Sequence, residues 1–380
     1  MAIPQASQIQ VFDREFMRDY VRDSSFLPFM GRAGTRTGLM PIVSRYELTD
    51  GGKTINVPLI MGLGEGGGVQ GRTRLAGNER ELDVHNHALR VNWNREGVVI
   101  LKPDEHATGL QLRNAAKMGL NEWAAISLRN DVIASMLAYD AESIVGGVNT
   151  VSPGGRGGPS PLQTYLARTE AQKDAWLAAN ADRYLFGAAV SNAAGNDHSA
   201  ALASLDDVND RMTTNVVSLA RSVARQTTRR LIRPYRMVTG TNKNIEQYVL
   251  FVGPRAFTDI KRDPAMQQAN RDARIRGVDN PIFTDDDLIW DGVLIREIPE
   301  IPVIPGVGAN GVPVEPAFLC GAQAIGVAWG QEPKSRVKKE DDYEFERGVA
   351  VEECRGVAKL VFNGIQHGMV NVFVAAPGVA

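Results

Sequence analysis

GGKTINVPLIMGLGEGGGVQGRTRLAGNERELDVHNHALRVNWNREGVVI, residues 51–100, holds the pattern that decides the fold. Ile55, Val57, Leu59 and Met61 alternate along it with the period of a half-buried strand. Pro58 removes one ladder donor, which puts this strand at an edge or beside a bulge. Six glycines then fall between residues 62 and 71 in a polar stretch with no face to pack, the composition of a flexible tip. The return over 82–93 shifts its apolar face from Leu82 and Val84 to Leu89, Val91 and Trp93, which predicts a bulge or burial on both sides. The two arms make a hairpin reaching about 30 Å. Such a ribbon is only marginally stable by itself in water, so its apolar face needs a cover, either the chain's own body or another copy.

Working outward from this hairpin, residues 1–45 read as an arm. Phe12, Phe16 and Tyr20 stack at i+4 spacing on a short amphipathic helix. In FLPFMGRAGTRTGLMPI, residues 26–42, Phe26, Phe29 and their apolar neighbours follow no period that would let them cover one another. That segment must lie on something else.

On the other side, residues 105–139 lack proline and carry Leu112, Ala116, Leu120, Ala124, Leu128, Val132 and Met136 at steps of four, widened by Trp123, Ile133 and Leu137. At about 1.5 Å per residue this helix forms a rod about 50 Å long, enough for several elements to pack along it. GGVNTVSPGGRGGPSP, a helix over 162–179 and the strand RYLFGAAV follow, and the region near 146–180 reads as an insertion of unknown placement. A further helix is expected from Leu205 to about Thr228, with Asp206 and Asp207 near its start.

Residues 240–335 alternate strands and helices as a separate α+β lobe. The tail, 336–380, supplies FERGVAVEE, GVAKLVFNG and MVNVFVAAP, strands expected to fold back on the long helix. The expected organisation is therefore an arm (1–45), an extended hairpin loop (46–104), a domain over 105–239 built on the long helix, the lobe over 240–335 and returning strands over 336–380.

With 380 residues, 43% hydrophobic and 23% charged, the chain can bury a sizeable core. No run approaches the roughly 18 apolar residues of a membrane helix, and MAIPQASQIQVFDREF lacks a signal-peptide layout, so folding in a cytoplasm with no membrane partner is expected. Cys320 and Cys354 are expected as reduced, small, buried thiols. A formal charge of -2 provides no overall field for nucleic acid.

Few residues suggest chemistry. GGKT, residues 51–54, superficially resembles a phosphate-binding loop, but the required first glycine falls at Glu47 and Thr54 opens a strand. GLGEGGGVQG lacks dinucleotide-site spacing. His85 and His87 share a strand face without further metal ligands at suitable spacing. Asp285, Asp286 and Asp287 could hold a divalent ion, although a solvated turn and helix cap is the plainer reading. No nucleophile elbow or zincin motif occurs, so no catalytic residue, cofactor or metal is assigned. Arg229, Arg230, Arg233 and Arg236 form the densest basic patch, open to pairing between subunits or to contact with DNA.

The ordered set resembles the Hong Kong 97-type major capsid protein of tailed bacteriophages, an α+β fold with arm, extended loop, spine helix, peripheral domain and axial domain. The hairpin run carries the family's G-x-x-x-L-x-G-x-E element as Gly71, Leu75, Gly77 and Glu79. The likeness continues through NEWAAISLRND, IRPYRMVTG, YVLFVGPRAFTDIKRDP and the PEIP turn. It implies a non-enzymatic icosahedral shell of hexamers and pentamers, assembled in the host bacterial cytoplasm with a scaffolding protein and a portal. Decoration proteins and non-specific contact with packaged DNA are further possible partners. On that reading the hairpin residues Ile55, Val57, Leu59, Gly71, Leu75, Gly77, Glu79, Leu89, Val91 and Trp93 touch a neighbouring subunit. The arm residues Phe12, Phe16, Tyr20, Phe26 and Phe29 do likewise. Burial within the same chain is the competing reading. A DNA-binding or packaging protein and a metal-dependent hydrolase are the rival functions.

Overall fold

The computed structural model describes residues 26–32, 40–46, 53–60, 69–76, 84–101, 112–146, 148–149, 160–227, 231–239, 243–272, 287–337 and 346–378. In chain order, the first half contributes β1 (Met30–Arg32), β2 (Ile42–Tyr46), β3 (Thr54–Ile60), β4 (Val84–Arg90), β5 (Asn92–Leu101), α1 (Leu112–Leu137), β6 (Ile144–Val145) and β7 (Val148–Asn149). Next come α2 (Pro161–Leu166), α3 (Glu170–Ala179), β8 (Tyr184–Phe186), α4 (His198–Ala203), α5 (Thr214–Gln226), β9 (Tyr235–Thr239) and β10 (Lys243–Val252). The remainder is α6 (Pro254–Arg262), α7 (Pro264–Asp272), β11 (Asp287–Trp290), β12 (Val293–Glu297), β13 (Val314–Cys320), β14 (Ile325–Val337), β15 (Glu346–Lys359), β16 (Val361–Phe362), β17 (Ile365–Gln366) and β18 (Met369–Ala375).

Two seven-stranded sheets organise these elements. The first runs β1-β2-β14-β15-β6-β7, with β5 also laid along β15. The second runs β11-β12-β10-β13-β18-β8, with β9 on β10. Strand alternation sends Val249, Phe251, Phe318 and Phe373 to a core shared with α1, and Leu250, Val252, Leu319 and Val372 to a second core against α5 and α6. The second sheet is thus covered on both faces, which explains why β13 and β18 are apolar apart from the buried Glu315 and Asn371.

In the first sheet, Ile325, Val327, Val349, Val351 and Val357 meet Leu120, Ala124, Leu128 and Val132 of α1. The stripe at steps of four therefore does bury one face of the helix, and Lys359 Nζ closes its end on the Ala138 carbonyl at 2.7 Å. Residues 102–111, the proposed start of that helix, lie outside the described residues.

Several expectations need correction. The helix over 162–179 is two helices, because Thr169 accepts from the Gln172 amide and starts α3 afresh with a capping box. The helix from Leu205 begins only at Thr214; Asp206 instead accepts from Val208 and Asn209 amides in a turn, and Asp207 pairs with Arg211. Within the region read as an insertion of unknown placement, residues 160–180 send Tyr165 and Leu177 into the main core. The described part of FERGVAVEE, from Glu346, and the start of GVAKLVFNG belong to one 14-residue strand, β15.

The tail strands return to the long helix, Asn371 of β18 donating to the Met136 carbonyl at 3.4 Å, while strand pairing crosses the division between 240–335 and 336–380. β14 belongs to the first sheet, while the tail strand β18 pairs with β13 and β8 in the second.

Candidate assembly surfaces

The expected hairpin forms between β3 and β4, with Ile55 opposite Leu89, Val57 opposite His87 and Leu59 opposite His85. It does not project bare. Ile55, Val57, Leu59 and Leu89 are buried against Val43, Ala328, Ala358 and Leu360 on the outer face of the first sheet. For these four side chains the neighbour is the chain itself, which corrects their reading as intersubunit contacts. Glycines permit the close approach: a Cβ at Gly356 would lie 2.0 Å from the Arg90 carbonyl, and one at Gly326 would lie 2.9 Å from Leu89.

β4 pairs with β3 in unbroken register from Val84 to Arg90, so the shift of apolar face noted in the sequence is no bulge in that stretch, and the break comes only at Val91. There the chain leaves its pairing with β3, donates its amide to the Lys53 carbonyl at 2.9 Å, and joins β15 as β5. Leu89 is fully buried, Val91 half-buried and Trp93 53% exposed. Cover thus runs out along one series of alternate residues.

Beyond Trp93 the same face of β5 carries Arg95, Val99 and Leu101, with Val99 56% exposed. Its neighbours on β15 and β14 include Cys354, Glu352 and Arg336, the last two paired at 2.6 Å. Val99 and Leu101 were missed by counting the alternation only to residue 93. Extending it by eight residues, to Leu101, finds them.

At Asn94 the inner face under β5 meets a buried polar cluster. Arg355, fully buried, pairs with Asp131 of α1 at 2.7 Å and Glu353 at 2.7 Å, and donates to Ser127 at 2.8 Å. Asn94 of β5 joins by donating to Glu353 and Ser127. All three guanidinium nitrogens are engaged, the condition under which burying such charges is tolerable. Sequence reading found none of this, because Asp131 and Arg355 lie far apart in the chain.

At the hairpin tip, Gly71 takes a positive φ of 66° in an exposed turn and Leu75 is 63% exposed. Gly77 and Glu79 lie outside the described residues. Phe12, Phe16 and Tyr20 lie outside them too. Phe26 and Phe29 are buried in their own chain, edge-on to Phe251 at 5.1 and 5.3 Å, with Phe29 also meeting Tyr235. Their placement as contacts with another subunit is therefore corrected.

The remaining candidates disperse. Arg229 and Arg230 lie outside the described residues, as does the side chain of Arg236; Arg233 is exposed and uses its carbonyl to bind the Ala322 amide. His85 packs on Phe362 and His87 meets the Val361 carbonyl at 3.1 Å, burial pushing His87 below its ordinary pKa. Asp287 pairs with Arg296 in β11, while Asp285 and Asp286 lie outside the described residues. Cys320 is buried, Cys354 half-buried, and both are free thiols. Among the described residues no three His, Cys, Asp or Glu side chains gather as a metal site.

A spine helix under one sheet, a hairpin folded across that sheet and a second sheet closed on both faces define the class of capsid shell subunits. The chain belongs to the phage capsid protein family, which it matches over residues 2–377. Among solved structures, the cyanophage Pam1 capsid is 32% identical, covering 95% of this chain and 94% of that one with a TM-score of 0.74. The capsid of Ralstonia phage GP4 shares the fold at 18% identity and a TM-score of 0.67, covering 94% and 93%. The major capsid protein of Pseudomonas phage KPP25 is 34% identical over 145 residues, a match spanning 34% of this chain and 38% of that relative.

Proposed function

We propose that the chain assembles into hexamers and pentamers of an icosahedral shell around a double-stranded DNA genome, and that its surfaces divide by role. The first sheet with α1 and the hairpin forms a peripheral body, and the second sheet with α5 and α6 forms an axial one. The outer face of β5 and the hairpin tip with Leu75 meet neighbouring copies, and the segment carrying Phe12, Phe16 and Tyr20 reaches another. Scaffolding protein, portal and packaged DNA are its partners in the virion, and assembly takes place in the host cytoplasm.

The observation that carries this reading is the partial cover on the first sheet. Its chain buries an almost complete core yet leaves Trp93, Val99 and Leu101 on one continuous strand face. Apolar side chains grouped on one strand face in this way mark a protein contact, unlike single exposed side chains such as Met118 and Val208. Many modest contacts of this sort sum through multivalency. Electron microscopy of the purified protein tests the reading: uniform shells, capsomers or tubes are expected, and a strict monomer at high concentration overturns it.

A further inference from the structure

α6 presents Arg255, Thr258, Asp259 and Arg262 on one face, the i, i+3, i+4 and i+7 positions of a helix. Arg211 faces them from the turn before α5, and the chain at 377–378 forms the floor of a cleft of about 170 Å³. A water molecule occupies roughly 30 Å³ in the liquid, so a tetrahedral oxyanion fits the cleft. Three guanidinium groups and the Asp259 carboxylate line it, with Asp207 paired to Arg211 at 2.7 Å and Glu315 within electrostatic reach of Arg255.

The three arginines differ in how far the fold already uses them. Arg211 is held by Asp207 at 2.7 Å and approaches Asp259 at 3.9 Å. Arg255 donates one N–H to the Ala376 carbonyl at 3.0 Å, which anchors its guanidinium while leaving other donors free. Arg262 is exposed and has Asp259 as its nearby charge. Asp259 itself is pushed above the ordinary carboxylate range, by burial first, against the pull of Arg211 and Arg262.

From this geometry we infer that the cleft between α6 and the 377–378 segment is an anion site that takes a phosphate group. Arginine's planar fork pairs two N–H groups with two phosphate oxygens, while the Thr258 hydroxyl is spent on the Pro254 carbonyl at 2.8 Å and serves only as wall. Arg255 and Arg262 make the principal contacts. Asp259 opposes the ligand and keeps the affinity modest.

Calorimetric titration of the full-length protein with inorganic phosphate at low salt tests this. The wild type is expected to bind, Arg262→Gln to bind about tenfold more weakly through loss of a charge-assisted hydrogen bond, and Asp259→Asn to bind more tightly. Arg262 is exposed, so thermal unfolding of R262Q and its particles in the microscope should match wild type. A short DNA duplex separates the two sources of phosphate: displacement of bound phosphate assigns the nucleic-acid backbone, and undisturbed binding assigns free phosphate. Equal phosphate affinity in wild type and R262Q overturns the site. Displacement by an acidic peptide but not by DNA also overturns it, by making the cleft a protein contact.

Discussion

The two seven-stranded sheets solve the same problem in opposite ways. The second closes a core on each face, with β13 and β18 buried along their whole lengths. The first closes one face on α1 and half of the other beneath its own hairpin, then leaves β5 uncovered. Their buried charges differ too. In the first sheet Arg355 sits between Asp131 and Glu353, whereas in the second Glu315 is neutralised by no cation at hydrogen-bond range and accepts the Ala256 amide at the start of α6 at 2.6 Å. A sheet that stabilises its own chain and a sheet that also serves its neighbours can therefore be told apart within one molecule.

The sharpest way to break this comparison is to unpair the charges of the first sheet. Arg355→Met strands Asp131 and Glu353, and a loss of about 3–5 kcal/mol is expected on chemical denaturation of the unassembled subunit. In the second sheet, Phe251→Ala removes the ring on which Phe26 and Phe29 rest and should cost a similar 3–5 kcal/mol or so. Shell yield should follow stability in both variants.

Acid–base behaviour sharpens the contrast. Burial raises Glu315 from 4.5 to about 7, so the folded state holds a proton that the unfolded chain releases over that window. Stability from this group is full below pH 4.5 and declines as pH rises to about 7, by at most about 3 kcal/mol at roughly 1.4 kcal/mol per unit. Glu315→Gln should flatten that decline in denaturation curves taken across the range. The smallest effect on the subunit belongs to Trp93→Ala. Its stability should stay within about 0.5 kcal/mol of wild type, because the ring is already in water, while shells seen by electron microscopy become scarce. Normal shells from W93A would erase the distinction between the sheets.

What could be read from the sequence tracks how local the cause is. The spine helix was legible because Leu120, Ala124, Leu128 and Val132 lie within a few turns of each other. The hairpin was legible because Ile55 and Leu89 flank a single glycine-rich return. Phe26 and Phe29 misled because their partner, Phe251, belongs to a strand more than 200 residues away. For β18 the return to the helix was legible, but its sheet partners were not, because a strand covered on both faces loses the alternation that would reveal them. At the surface, Trp93 was legible as one of an apolar series, but only the folded chain separates it from Leu89, which shares the series and lies under cover.

Arg355 also fixes position. Strand side chains alternate, so sliding β15 by one residue would swing the guanidinium to the outer face and turn a glycine or a cysteine toward Asp131. No intermediate setting satisfies the helix. β15 and α1 are therefore locked like a key in its ward, and any force borne by β5 passes into the helix without altering their alignment.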